Sequence, residues 1–212
     1  MTGEPHANLL SQVADYYSRR LEEYGTTPRG VDWNGSESQA LRFDQLERLF
    51  DGRQDFTLAD IGCGYGALLE HLGARGVHCD YVGIDVSSGM IAAARNRHEG
   101  HPHAQFIEGV RPTASVDYVI ASGIFNVRGN IDDDAWRAYF HATLDAMHAD
   151  SKDGYAFNCL SARSDPVRMR ADLYYADPAA TLAYCLRHSR HVALLHDYGL
   201  YEFTVLVRRE SA

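Results

Sequence analysis

The chain has 212 residues, 45% of them hydrophobic, which suits one α/β unit with a sizeable core. Its 20 basic residues face 29 acidic ones, for a formal charge of −9; this argues against nucleic acid as a partner, because phosphate neutralisation needs a basic face. It has no apolar run of about 18 residues, so no transmembrane helix and no membrane partner are expected.

Residues 7–24 carry apolar or aromatic side chains at 9, 10, 13, 16, 17, 21 and 24, the spacing of an amphipathic helix. Gly25 stops it, and 26–35 reads as loop. A second helix is expected from Ser36, where Ser36-Glu-Ser-Gln39 matches a capping box. Residues 56–61 read as a first strand and 66–75 as its helix, with Leu68, Leu69 and Leu72 facing inward. A second strand spans 81–85, and Ser87 can cap a helix over 88–98. Short strands follow at 105–108 and 116–122. Residues 132–149 form a helix whose opening Asp132-Asp133-Asp134 suits the positive end of its dipole. A strand at 154–160 precedes two expected helices, 165–175 and 178–188, the second opened by Asp177-Pro178. The β-rich runs 192–198 and 201–207, split by Gly199-Leu200, suggest a terminal antiparallel hairpin. Strands alternating with helices imply a parallel sheet with right-handed crossovers.

The four cysteines (63, 79, 159, 185) are widely spaced and form no C-x-x-C. Reduced, buried thiols and a cytoplasmic location are therefore expected. The start, Met-Thr-Gly-Glu-Pro-His, has no cationic region followed by an apolar one, so no secretory signal is expected.

The most informative stretch is 58–66, Leu-Ala-Asp-Ile-Gly-Cys-Gly-Tyr-Gly, followed by Asp85 at the end of the next apolar run. The glycines let backbone approach a ligand, and a carboxylate 23 residues after Gly62 can hold a ribose diol. A dinucleotide loop would place its last glycine at 67, where this chain has Ala67. Asp60 before the loop would repel a pyrophosphate and attract an ammonium group. A ligand with an adenosine, a cation and an amino-acid head fits these residues, and S-adenosylmethionine is such a ligand.

With those residues in view, the chain resembles the class I S-adenosylmethionine-dependent methyltransferases over about 56–208. The resemblance rests on Leu58–Gly66, on Tyr81-Val-Gly-Ile-Asp-Val-Ser-Ser-Gly-Met90, on Phe106-Ile-Glu-Gly109 and on Asp117-Tyr-Val-Ile-Ala-Ser-Gly123. It implies a Rossmann-like, doubly wound, seven-stranded α/β sheet with a reversed last strand, in agreement with the terminal antiparallel hairpin. It also implies that Gly62, Gly64 and Gly66, with Cys63 among them, line the methionine part of the cofactor. Asp60 would face its amino group, Asp85 its ribose, and Val86 and Met90 its adenine. Such enzymes often carry an acid after the glycine that ends the third strand; here Val110 follows Gly109, so either Glu108 or backbone groups meet the adenine. Gly30–Gln39, Ser122–Asn126 and Leu173–Pro178 also resemble a narrower bacterial branch that acts on small molecules.

The remaining site candidates come from position and chemistry. Gln39 and Arg42 lie about one helical turn apart and can clasp the cofactor carboxylate. The Ser122 carbonyl can accept from its ammonium. Phe125 and Asn126 follow the fourth strand, near the expected sulfonium and the incoming nucleophile. Tyr174 and Tyr175 can roof the pocket, as can Tyr16, Tyr17 and Trp33. Asn126 and Tyr175 are the candidates for a catalytic role; Tyr16, Trp33, Phe125, Asn126, Tyr174 and Tyr175 are those for the acceptor. His98, His101 and His103 cluster in an expected exposed loop, so no metal is expected. His141 and His148 share a helix face that suits surface packing. His196 and Asp197 should point to opposite faces of a strand and form no relay.

One domain over 1–212 is expected: an N-terminal helical lid (1–52), a cofactor-binding core (53–160), a helical lid insertion (161–190) and the hairpin (191–209). The leading function is direct methyl transfer to a small-molecule acceptor by a monomer or homodimer. The alternatives are cyclisation of the cofactor without methylation, methylation of a protein or RNA, and cofactor binding without turnover.

Overall fold

A computed structural model describes residues 4–31, 33 and 35–209. Residues 1–3, 32 and 34, which belong to the expected lid and to the Gly30–Gln39 motif, lie outside the described residues, as do 210–212. The helices are α1 (Glu4–Tyr24), α2 (Ser36–Glu47), α3 (Ala67–Ala74), α4 (Ser88–Arg97), α5 (Asp133–Asp150) and α6 (Pro178–Cys185). The strands are β1 (Phe56–Ile61), β2 (Cys79–Asp85), β3 (Ala104–Glu108), β4 (Val116–Ala121), β5 (Ser151–Leu160), β6 (His191–Leu195) and β7 (Glu202–Arg208).

The seven strands form one sheet in the order β3-β2-β1-β4-β5-β7-β6. β1 to β5 pair in parallel, and β7 runs antiparallel to both β5 and β6. Central strands read as apolar runs because both faces are covered. Phe43, Leu46, Leu58, Leu68 and Tyr81 pack α2 and α3 on one face. Phe140, Leu144, Met147, Phe157 and Val205 pack α5 on the other. Among the described residues no helix is long and apolar enough to cross a membrane.

The expected Ser87 cap forms, accepting from the Met90 amide at 3.2 Å, and the aspartates that open α5 and α6 also cap them, Asp132 accepting from Ala135 at 2.9 Å and Asp177 from Ala180 at 2.8 Å. The capping box does not form. Gly35 caps α2 with no side-chain bond, and Ser36 is already helical. Gln39 is drawn away because its side chain bonds Tyr65.

The expected helix at 165–175 is also absent. Only Pro166–Arg168 makes a 3-10 turn. The rest is an extended strap whose backbone pairs with the loop after β4: the Asp172 carbonyl accepts from Arg128 and Gly129 at 3.0 and 2.9 Å, and Tyr174 N–H donates to Asn126 at 2.9 Å. As in the expected order of elements, β3 and β4 are joined by residues 109–115 with no helix between them. This leaves the carboxyl ends of β1 and β2 to be walled by α5.

Candidate active site

β1 ends at Asp60-Ile61, and the chain turns through Gly62 and Gly64 with φ of 72° and 54°. A side chain there would collide: a Cβ at Gly62 would lie 2.2 Å from Ile124 Cγ2, and one at Gly64 3.0 Å from Val31 Cγ1. The Gly62 and Cys63 amides both donate to the Ile84 carbonyl, at 2.7 and 3.0 Å, so the turn is pinned on the end of β2.

The same turn fixes Asp85. Its Oδ2 accepts from the Gly64 amide at 3.0 Å and its Oδ1 from the Ser87 amide at 2.9 Å. Each oxygen keeps further lone-pair capacity. Asp60 lies one register step back on β1, opposite Gly83. Its Oδ2 accepts from the Tyr81 hydroxyl at 2.5 Å. Asp60 and Asp85 are 2% and 9% exposed, so both are effectively out of water. Burial pushes the Asp60 carboxyl up to about 7; the Tyr81 bond works against this and the Asp85 charge with it. Burial also raises Asp85, against the pull of its backbone donors.

These groups open into a cavity of about 320 Å³ between α1 and α5. Leu10, Val13 and Tyr17 of α1, with Val31 and Trp33, form one wall. Tyr139, Ala142, Thr143 and Ala146 of α5 form the other. Tyr139 bonds Thr143, and burial holds its hydroxyl at about 12. Arg111 lines the α5 side but is paired with Asp150 through two hydrogen bonds of 2.9 and 2.6 Å. The α1 wall is tied down by a 2.9 Å bond between the Ser18 and Ser87 hydroxyls.

Of the residues expected at the site, Trp33, Gln39, Asp60, Gly62, Cys63, Gly64, Asp85, Val86, Met90, Gly109 and Ser122 line this cavity. Eight do not. Arg42 clasps the Glu202 carboxylate instead of the cofactor's and does not line the cavity. Gly66 caps α3 in the left-handed conformation, beneath His98. Glu108 points to solvent while Phe106 on the same strand is buried. Tyr16 stands edge-on against Tyr17, at 5.2 Å, and Tyr17 takes the lining place.

Phe125 is fully buried against Phe140 at 4.5 Å, on the α5 face of the sheet. Asn126 ties loops together, accepting from the Leu160 amide at 3.3 Å. Tyr174 packs by Phe140 at 6.0 Å, and the Tyr175 hydroxyl accepts from the Arg170 amide at 3.0 Å. No lining residue comes from 161–190, so that segment does not roof the cavity.

The histidines have local partners. His98 bonds the Gly66 carbonyl at 3.0 Å, and His103 pairs with Asp80 at 2.8 Å. His141 stacks on Tyr184 at 3.9 Å and His148 on His188 at 4.6 Å, fastening α5 to the α6 side. Among the described residues only Asp44, Glu47 and His71 gather as metal ligands do, and Arg75 already pairs with both carboxylates.

Comparison with known proteins agrees with this geometry. Residues 59–149 match the family described as methyltransferase domain. "Putative methyltransferase Rv1506c" of Mycobacterium tuberculosis (strain ATCC 25618 / H37Rv) is 53% identical over 165 residues, 77% of this chain and 99% of that protein. The chain belongs to the class I S-adenosylmethionine-dependent methyltransferases. Solved structures share its fold. Magnesium protoporphyrin IX methyltransferase (ChlM) from Synechocystis PCC 6803 with bound SAM superposes with a TM-score of 0.68 at 14% identity, covering 94% of this chain and 96% of that one. A DhpI–SAH complex gives 0.66 at 19% identity, covering 96% and 97%.

The stretch matched to the methyltransferase domain contains both cavity carboxylates and the α5 wall; α1, α2 and Glu202 fall outside it. The α5 lining is the part that sequence reasoning missed. Its signal is a stripe of small residues, Ala142, Thr143 and Ala146, beside the bulky stripe Trp136, Phe140, Leu144 and Met147 that packs on the sheet. The residues present fit the family's cofactor. Two buried acids face a cavity whose one described lining cation, Arg111, is already paired. That is the complement of a ligand with hydroxyls and positive charge.

Proposed function

We propose that this methyltransferase acts by direct methyl transfer to a small-molecule acceptor, with S-adenosylmethionine held in the cavity by its two buried acids. The observation that carries the reading is the joint placement of Asp60 and Asp85, both buried, in one cavity with no counter-ion among the described residues. Asp85 would accept the ribose hydroxyls on the lone pairs its backbone donors leave. Asp60 and the Ser122 carbonyl would receive the ammonium group. Val86 and Met90 would pack the adenine, with Gly109 and Val110 at its edge and Tyr139 and Thr143 supplying polar contacts in place of Glu108.

The bound cofactor would supply a methyl group made electrophilic by its sulfonium. The chain aligns the acceptor behind that methyl. Among the described residues the cavity wall carries no histidine or lysine to act as a base, and its two carboxylates, Asp60 and Asp85, are assigned to the cofactor. Burial raises the Cys63 thiol and the Tyr139 hydroxyl, which keeps both protonated. The acceptor must therefore bring a nucleophile that loses its proton readily or has none to lose.

A cavity of about 320 Å³ with a mostly apolar wall supports a small acceptor over a protein or RNA. Four free cysteines agree with a reducing compartment, and we place the enzyme in the cytoplasm as a monomer or homodimer. The test is to incubate the protein with methyl-labelled S-adenosylmethionine and a cell extract. S-adenosylhomocysteine, with label in the small-molecule filtrate, is expected. Methylthioadenosine formed without any acceptor would replace transfer by cyclisation, and label retained on macromolecules would remove the small-molecule reading.

A further inference from the structure

Trp33, in the cavity wall, stacks on Arg42 behind it, and neither has a part in the cofactor contacts proposed above. The benzo edge of Trp33 lies on the α-carbon of Gly123, where an added Cβ would come within 2.5 Å of Cζ2. Gly123 follows the carboxyl end of β4, the region where an open parallel sheet receives its ligands. The indole therefore fills space beside the reacting end of the cavity. Behind it, Arg42 Cζ sits 3.9 Å from the ring centroid.

The guanidinium is engaged along its edge. Nε donates to Glu202 Oε2 at 2.7 Å, Nη2 donates to Glu202 Oε1, and Nη1 donates to the Ser38 carbonyl at 2.7 Å. Arg42 and Glu202 are 6% and 2% exposed, and their charges cancel. An anionic acceptor would find no net positive charge there and no open fork of donors. What the pair can still offer is the flat face of the guanidinium, which the indole now covers. Such a face attracts π systems and gives little to a saturated skeleton.

Space points the same way. At about 320 Å³ the cavity is at the small end of ligand pockets, which run to about 1,000 Å³, and a bound cofactor leaves little room. An acceptor lying beside Gly123 would take the space that Trp33 occupies. We propose that the acceptor is a planar, uncharged, π-rich molecule that replaces the Trp33 indole on the face of Arg42. Glu202 and the Ser38 carbonyl are then positioning groups that hold the guanidinium for stacking. In the transfer, a lone pair of the acceptor's nucleophilic atom forms the bond to the methyl carbon. The carbon–sulfur bond breaks with its electron pair going to sulfur, and the acceptor's proton leaves to water. A hydroxyl on a conjugated ring is far more acidic than one on a saturated skeleton, so it gives up its proton with the least help from the wall.

The inference rests on the cofactor reading, and one set of titrations separates the two. Calorimetry on the full chain is run first with S-adenosylhomocysteine, then with three probes, both with and without it. The probes are 2-naphthol, its saturated counterpart trans-2-decalol, and propane-1,2,3-tricarboxylate. A preference of about tenfold for 2-naphthol over the other two is expected. Trp33→Ala should strengthen 2-naphthol binding severalfold, since no indole has to leave. Arg42→Lys keeps the charge towards Glu202 but loses the flat face, and should erase the preference over decalol; if that variant does not fold, Trp33→Ala decides. Equal binding of naphthol and decalol, tighter binding of the tricarboxylate, or no change in Trp33→Ala overturns the proposal. Failure of S-adenosylhomocysteine to bind removes the cofactor reading, while the naphthol preference measured without it still decides the acceptor class.

Discussion

Two pairs of buried charge lie at the carboxyl ends of the strands, and they are handled in opposite ways. Arg42 and Glu202 neutralise each other across α2 and β7, and the Ser38 carbonyl takes a further guanidinium donor. Asp60 and Asp85 have the same sign and, among the described residues, no counter-ion; they are held by the Tyr81 hydroxyl and by backbone amides. The first pair is complete within the protein. The second is left open to a ligand, and on the proposed reading the cofactor completes it, so that the cavity is a site and the ion pair a support.

The comparison breaks most easily at the ion pair. Arg42→Leu should destabilise the protein by about 3–5 kcal/mol, because Glu202 would be left charged and buried. The double variant Arg42→Met/Glu202→Leu should recover most of that loss, since two apolar side chains need no partner. Urea unfolding of the three proteins measures both. A single variant as stable as the wild type would show that the pair is hydrated and is no support.

Removing a member of the other pair should leave the fold and cost affinity. Asp85→Ala is expected to weaken S-adenosylhomocysteine by about 1–3 kcal/mol in calorimetry, the scale of buried hydrogen bonds left unmade. Unchanged affinity in a folded variant would end the ribose assignment.

These two pairs also mark how far the chain could be read without its structure. Asp60, the glycine turn and Asp85 sit on consecutive strands, so their juxtaposition follows from one β-loop-α-β unit and was legible. The seven strands and the terminal hairpin were legible for the same reason of local periodicity. Arg42 was not, because its partner is 160 residues away and nothing near either residue announces the pairing. Phe125, Tyr174 and Tyr175 were placed at the pocket by their position after strands or near a presumed lid. Aromatic area is as useful in a core as in a roof, and here the core took Phe125. The strap at 165–175 carries helical spacing, but its amides and carbonyls find partners in the loop after β4, and that tertiary pairing overrides propensity.

The contrast sharpens with pH. Asp60 has its carboxyl raised from 3.8 to about 7 by burial. Between those values the unfolded chain is ionised while the native protein keeps its proton, so the native state binds more protons. The contribution of Asp60 to stability is thus fully present below 3.8 and is lost as pH rises to about 7. An ammonium ligand selects the ionised form, so affinity for S-adenosylhomocysteine should rise with pH and level off above about 7. Asp60→Asn should bind more weakly and flatten both profiles. A wild-type affinity that does not move across this window would place the ammonium elsewhere.

The smallest effect belongs to an ion pair with good geometry but water around it. Arg111 meets Asp150 through two hydrogen bonds, of 2.9 and 2.6 Å, yet its side chain is 51% exposed against 7% for Arg42. The chemistry of the two guanidinium–carboxylate pairs is alike, so solvent is the variable that differs. Water stabilises each ion of the exposed pair when its partner is removed, and salt screens what attraction remains. Arg111→Ala should therefore change stability by less than about 1 kcal/mol, with the difference shrinking further in high salt. A loss as large as that of Arg42→Leu would mean that the strap 109–115 depends on this contact to close the α5 side of the cavity. Burial would then not be what separates the two pairs.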